Sequence, residues 1–379
     1  MEAGLRRTGG KFSTNTMSII RRLWNCLCNK FAVSDWFVAN MSPFYTLEMV
    51  MLVRAMNLAA ELDIADKLNG NEMTVEQLAA ETGTLAEPLH RVLRALAAFG
   101  YFRETRPGVF ACTKKSSVLQ SGTSDSLKDW ILFATSEETT RAYNQSLNVV
   151  KEGNGGFQLA HGKQMYDLLY NDPSHEKTRD VFVRGMGKFT EWQSRIVAKT
   201  YDFKNVKKVV DIAGGHGFLI SRILQMHPHL SGAMVDQPYA IEQATKTANE
   251  CGVADRCKLT AGDIFDASTL PNDGDLYTIK HVLWDWDDTD ALKILKNIKL
   301  AMPTNSQLLI IENVISSDND TDGLGKLFDL EQMFNYYGKS RTKDEWINLT
   351  EKAGFKLERI QSTECFDVKL LTFNPVGVQ

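Results

Sequence analysis

The chain has 379 residues, a formal net charge of −4, 43% hydrophobic and 24% charged residues. That balance fits an ordinary folded protein with material for two or three domains, and it speaks against a strongly basic nucleic-acid binder. No apolar run reaches the length of a membrane span. Six irregularly spaced cysteines make neither a disulfide framework nor a zinc pattern, which implies a reducing, cytoplasmic setting and no resident metal.

Residues 1–31 carry six basic side chains against the single acid Glu2. Residues 1–40 therefore read as a basic, solvated tail, with a targeting or membrane-surface helix as the alternative. Residues 45–68 read as one long helix, with Met51, Ala55, Leu58, Leu62 and Ala65 on one face. Thr74-Val75-Glu76-Gln77 is a capping box for a helix ending at Gly83, and residues 85–99 form the next helix. Two short strands flank Pro107-Gly108. Helix–turn–helix followed by a hairpin is a winged-helix pattern over residues 41–122. Its lack of a basic face argues against DNA binding. Leu89, Val92, Leu93 and Leu96 argue instead for packing on protein, and so for a homodimer.

Residues 123–200 read as a helical linker or lid: a helix over 127–150, a glycine loop at 153–156, and helices over 164–170 and 175–200. From residue 201 strands and helices alternate, with strands expected at 209–213, 230–235, 258–261, 276–283 and 308–314. Two closing strands, 356–360 and 368–373, make seven. That rhythm predicts an α/β fold with a doubly wound, mostly parallel sheet, whose ligands bind outside the carboxyl ends of the strands.

The first of these strands runs into Asp211-Ile212-Ala213-Gly214-Gly215-His216-Gly217, and a helix follows. A strand, a glycine turn and a helix N-terminus allow close backbone approach to a ligand. The third glycine of a dinucleotide fingerprint is replaced by Ile220, and no Gly-Lys-Ser/Thr follows for a phosphate loop. Asp-x-x-Gly-Gly-x-Gly suits a ligand with a cationic amino-acid end and no pyrophosphate. Asp236, at the end of the next strand, can accept from both hydroxyls of a ribose. Asp263 is a further acceptor at a strand end.

Together these blocks resemble the class I S-adenosylmethionine-dependent methyltransferases, specifically the small-molecule O-methyltransferases of the hydroxyindole and caffeic-acid type. Residues 209–217, 235–238, 262–265, 280–288, 308–312 and 338–342 match in family order, and the likeness covers residues 45–375. The resemblance implies a winged-helix dimerisation domain before the methyltransferase sheet. It implies S-adenosyl-L-methionine as cofactor, held by Asp211, Gly214, Gly215, Gly217, Asp236, Asp263, Ile264, Phe265, Lys280 and Trp286. Asp236 would hold the ribose, Asp263 the adenine amino group, and Trp286 the adenine face. Phe182, Met186, Phe189, Trp284 and Asn335 would face a small, hydroxylated, aromatic substrate, with Thr190 near the cofactor's amino-acid end.

The chain also departs from the family. The family's catalytic histidine, in a Val-Leu-His-Asp-Trp segment, is here Trp284, which offers no proton-accepting nitrogen. Of the two acids that orient that histidine, one is kept as Glu312 and the other is Ser340. The remaining candidates for catalysis are His281, Asp285 and Glu312. His281 reaches the pocket only if the strand ends near it, and Asp285 either orients a base or caps the helix that follows. Two rival functions remain: a cyclase or hydroxylase that keeps the cofactor without transferring its methyl, and a non-catalytic winged-helix regulatory dimer.

Overall fold

The computed structural model describes residues 35–123, 126–317, 323–365 and 368–377, so the basic stretch at residues 1–31 lies outside the described residues. The described residues fall into two compact units, divided between Ser116 and Ser117.

The first unit contains α1 (Asp35–Glu61), α2 (Ile64–Leu68), β1 (Glu72–Thr74), α3 (Val75–Thr82), α4 (Ala86–Ala98), β2 (Phe102–Arg106) and β3 (Val109–Cys112). The single helix expected over 45–68 is broken at Asp63, whose left-handed backbone (φ 55°) resets the axis. The short α2 that follows buries Ile64, Ala65 and Leu68 completely. Thr74 and Gln77 close the expected capping box, each side chain accepting from the other's backbone N–H, at 3.2 and 2.8 Å. The strands form an antiparallel sheet in the order β1-β3-β2. Leu89, Leu93 and Leu96 are buried and Val92 is half-buried within the chain itself, between α4 and its neighbours α1, α3 and β2. Their burial therefore needs no second subunit, and the argument from these residues to a dimer does not hold. Most of the large apolar residues left in solvent lie on α1, among them Leu47, Val50, Met51 and Leu58, with Leu85 and Phe99 at the two ends of α4.

In the second unit the expected helix over 127–150 is three short ones, α5 (Lys128–Ala134), α6 (Glu137–Tyr143) and α7 (Ser146–Glu152). Ser136 caps the second and the left-handed Gly153 ends the third. The glycine loop runs directly into a helix missed from sequence, α8 (Gly156–His161), followed by α9 (Met165–Asn171) and α10 (Glu176–Thr200).

The sheet strands are β4 (Lys208–Ile212), β5 (Ser231–Asp236), β6 (Cys257–Ala261), β7 (Leu276–Lys280), β8 (Gln307–Ile315), β9 (Arg341–Thr342), β10 (Phe355–Ser362) and β11 (Val368–Pro375). Interleaved with them are α11 (Phe218–Met226), α12 (Pro238–Glu250), α13 (Asp288–Ala301), α14 (Gly323–Tyr336) and α15 (Lys343–Lys352). Seven strands run in the order β10-β11-β8-β7-β4-β5-β6, and the two-residue β9 pairs off the end of β8 as an eighth. Strands β4 to β8 are parallel, while β11 is antiparallel to both β8 and β10. Apolar clusters cover both faces, one gathered on α10, α11 and α12 and the other on α13 and α15. Strand order reverses between β4 and β7, which opens a crevice beyond their carboxyl ends.

Candidate active site

A cavity of about 1020 Å³ occupies that crevice. One wall is made by the strand ends and the turns that follow them. The other comes from the glycine loop at 153–155, α9, α10 and the end of α14.

On the strand side, Asp211 is buried in β4, and its Oδ1 accepts from Thr278 Oγ1 at 2.7 Å. Its Oδ2 has no hydrogen-bond partner among the described residues. Burial pushes the carboxyl up to about 7. Gly214 roofs it: a Cβ there would stand 2.6 Å from Asp211 Oδ2 and 2.8 Å from Met234 Sδ. Gly215 has positive φ and donates its N–H to Asp236 Oδ2 at 2.7 Å, while Gln237 N–H donates to Asp236 Oδ1 at 2.6 Å. Asp236 thus fastens the glycine turn, and two backbone bonds leave lone pairs for a ligand. Asp263 Oδ1 accepts from Phe265 N–H at 2.9 Å, folding the turn so that Phe265 meets Trp286 edge to face at 5.0 Å. Lys280 donates to Gln193 Oε1 at 3.1 Å, and burial draws its pKa down to about 8.

Strand β7 does not reach residue 283. It ends at Lys280, and His281 turns back with φ 52°. The cause is Glu312, buried on β8, which accepts from the N–H of Val282 (3.1 Å) and of Trp284 (3.4 Å). Its other oxygen lies 3.3 Å from His281 Nδ1, and His281 Nε2 is buried without a partner among the described residues. Burial first, then the Lys280 charge, holds the imidazole below its ordinary pKa. From the opposite side the fully buried Arg341 donates to the carbonyls of Leu283 (2.8 Å), Trp286 (3.0 Å) and Lys339 (3.1 Å), and to Asp288 (2.9 Å).

The cavity brings together Asp211, Gly214, Gly215, Asp236, Asp263, Ile264, Phe265, Lys280, Trp286, Phe182, Met186, His281 and Asp285, with Thr190 beside them. Others stand off its wall. Trp284 lies over the His281 ring, with centroids 4.5 Å apart, and not in the cavity. Phe189 packs near Trp192, and Asn335 is buried in α14 with Oδ1 unpartnered. Gly217 starts α11 close against α12, where a Cβ would meet Ala244 Cβ at 3.0 Å. Glu312 acts on the wall from behind. Asp285 is not a helix cap: Asp287 takes that position, accepting from Asp290 N–H at 2.9 Å. Sequence reasoning missed the tyrosines at 166, 170, 239, 336 and 337 that line the cavity, because in each helix they read as ordinary apolar face.

The O-methyltransferase domain family matches residues 143–356, and the O-methyltransferase dimerisation domain matches residues 44–122. Among curated relatives, the phenazine O-methyltransferase PhzM of Lysobacter antibioticus is 36% identical over 82% of this chain and 89% of its own. The mitomycin biosynthesis 6-O-methyltransferase of Streptomyces lavendulae is 35% identical over 81% and 86%. The solved mitomycin 7-O-methyltransferase MmcR superposes with a TM-score of 0.83 at 32% identity, covering 89% of this chain and 98% of that one. The O-methyltransferase NcsB1 of neocarzinostatin biosynthesis, solved with S-adenosylmethionine and 2-hydroxy-5-methyl naphthoic acid, superposes at 0.73 with 26% identity over 86% and 96%.

Arg341 gives a direct test of this construction. Arg341→Met keeps the stem and removes every donor, leaving three carbonyls without it while Asp288 keeps Lys339 at 3.3 Å. A loss of about 3 kcal/mol or more is expected, because each buried carbonyl left unpaired costs roughly 1–3 kcal/mol. Urea denaturation would measure it, and a variant as stable as the parent would refute the clamp.

Proposed function

We infer the chemistry from membership: the chain belongs to the O-methyltransferase family, and it transfers the methyl group of S-adenosyl-L-methionine to a hydroxyl of a small aromatic acceptor. The observation that carries the reading is the unpartnered Asp211 Oδ2 under the Gly214–Gly215 turn, in one cavity with an aromatic opposite wall. A buried carboxylate oxygen without a donor is costly unless a ligand supplies one. The α-ammonium of the cofactor fits it. Asp236 has lone pairs left for the ribose hydroxyls, Asp263 for the adenine amino group, and Phe265 and Trp286 offer rings to the adenine. When bound, the cofactor supplies an electrophilic methyl on a sulfonium centre. Turnover of labelled methyl separates this reading from a cyclase or hydroxylase on the same fold.

We assign the base to His281. Glu312 is positioned to accept its Nδ1–H, which leaves the Nε2 lone pair as the proton acceptor, and a depressed pKa keeps the ring neutral and ready. Alignment of acceptor and donor supplies much of the remaining barrier, roughly 7–11 kcal/mol in well-oriented systems. The dimerisation domain supports a homodimer, and the exposed face of α1 (Leu47, Val50, Met51, Leu58) is the apolar surface available to it.

The cofactor assignment predicts a pH dependence. Asp211 holds a proton below about 7, and an ammonium requires the ionised form, so binding below that pH must release a proton. Affinity for S-adenosylhomocysteine should fall roughly tenfold per unit as pH drops below that value. Calorimetry from pH 8 to 5 measures it, and Asp211→Asn should flatten the curve. A pH-independent affinity in the parent would remove Asp211 from the site.

The base assignment predicts that kcat/KM falls on the acid side, at a midpoint below the ordinary histidine value of roughly 6.5 and the same for every acceptor. His281→Gln should cost roughly 10²–10⁴-fold in rate. A midpoint that moves with the phenol's own pKa would show that the acceptor ionises unaided. For the dimer, sedimentation should give twice the chain mass at micromolar concentration, and Val50→Glu with Met51→Glu should give monomer. A monomeric parent protein would exclude it.

A further inference from the structure

We propose that the acceptor carries a positively charged amine beside its aromatic hydroxyl, and that Asp285 with the Tyr166, Tyr336 and Phe182 rings is the subsite that receives the amine. This rests on the methyl-transfer reading above and names the substrate class for it.

The first observation is a cluster of rings on the helical wall. Tyr166 and Tyr336 lie nearly parallel with centroids 5.9 Å apart, and Phe182 meets Tyr166 edge to face at 6.1 Å. Tyr336 is held in place by a hydroxyl contact to Met165 Sδ at 3.2 Å. All three rings line the cavity. Several aromatic faces turned on one space attract a cation through their quadrupoles, and more strongly where water is excluded.

The second observation is an acid that, among the described residues, neither caps a helix nor pairs with a cation, and whose side chain bonds to the Tyr166 hydroxyl of the same ring cluster. Asp285 lines the same cavity, and the helix that follows is capped by Asp287 instead. Glu312, not Asp285, faces His281. Burial and the nearby Glu312 charge raise the Asp285 carboxyl well above the usual carboxylate range, against the pull of the Tyr166 hydroxyl. A cation placed beside it would favour the ionised form.

The third is charge. Lys280 is the only lysine or arginine among the described residues that line the cavity, and it is bonded to Gln193 between Asp211 and Glu312. Arg179, which acts on Tyr170, is held by Glu176 and Asp180. Asp167 adds a second acid to the wall. A carboxylated acceptor would enter against Asp285, Asp167 and the other acids of this cavity with no cation but the engaged Lys280, whereas an ammonium would find both an acid and ring faces.

Three probes of similar size separate the outcomes: tyramine, 4-propylphenol and 3-(4-hydroxyphenyl)propanoate. Each is titrated calorimetrically into the full-length protein saturated with S-adenosylhomocysteine at pH 7.5. Tyramine should bind at least tenfold more tightly than the propanoate, with 4-propylphenol between them, and its binding should release protons to the buffer. Asp285→Asn should bring tyramine and 4-propylphenol together, and Tyr336→Leu should narrow the gap while leaving the charge in place. Propanoate binding equal to or tighter than tyramine, an amine preference that survives Asp285→Asn, or no binding by any probe would each overturn the subsite. Failure of S-adenosylhomocysteine itself to bind would instead overturn the methyl-transfer reading. Methylation of the neutral phenol without tyramine binding would leave that reading standing and remove only this one.

Discussion

The buried carboxylate of Glu312 decides where β7 stops, and the site follows from that. A charge inside a sheet is tolerated only when its oxygens are satisfied. Here the donors are the N–H groups of Val282 and Trp284 and the adjacent His281 ring. A continuing strand would send those N–H groups to a neighbouring strand, so pairing with Glu312 and extending β7 are incompatible. The chain resolves the conflict with a left-handed residue at His281 and a single 3₁₀ turn over Leu283–Asp285. Arg341 then collects the carbonyls that the turn leaves over, and the segment is fixed from both sides.

That bend sorts neighbouring residues to different fates. Leu283 goes into the core under α13 and α15, Trp284 folds over His281, and Asp285 and Trp286 reach the cavity. A strand would have sorted these residues by strict alternation. The turn does not, and Asp285 and Trp286, adjacent in sequence, share one wall. The left-handed conformation at His281 is uncommon for a residue with a side chain, and the two bonds to Glu312 are what hold it.

The strand-end wall of the cavity was legible in the sequence because its signals are local. Asp211, Gly214, Gly215, Asp236 and Asp263 each sit within a few residues of a strand end, and strand ends follow from apolar runs meeting glycine or acid. The capping box at Thr74 was legible for the same reason. The end of β7 was not: Val282-Leu283 continues the apolar pattern, and the residue that stops it lies thirty positions away on β8. The break at Asp63 was hidden in a helical pattern that resumes at once. Leu89, Leu93 and Leu96 showed correctly that α4 is apolar on one face, but periodicity cannot say whether that face meets its own chain or another. The aromatic wall was least legible, since Tyr166, Phe182 and Tyr336 come from three helices and no local pattern unites them.

The family residues missing from this chain are physically coupled. In the family pattern two acids orient a histidine at the position held here by Trp284. With that histidine gone, an acid at position 340 would be a buried charge without its partner, which is costly. Ser340 avoids that cost: its N–H donates to Asp329 at 2.7 Å and its small hydroxyl is buried and uncharged. Glu312 escapes the same pressure because its partners are the backbone N–H groups of Val282 and Trp284 and the His281 ring, none of which depends on the side chain at position 284. The acid that survived is therefore the one with a structural reason to survive, and it sits against the one imidazole left at this bend. Trp284 completes the rearrangement by lying over that imidazole, whose burial favours the neutral ring.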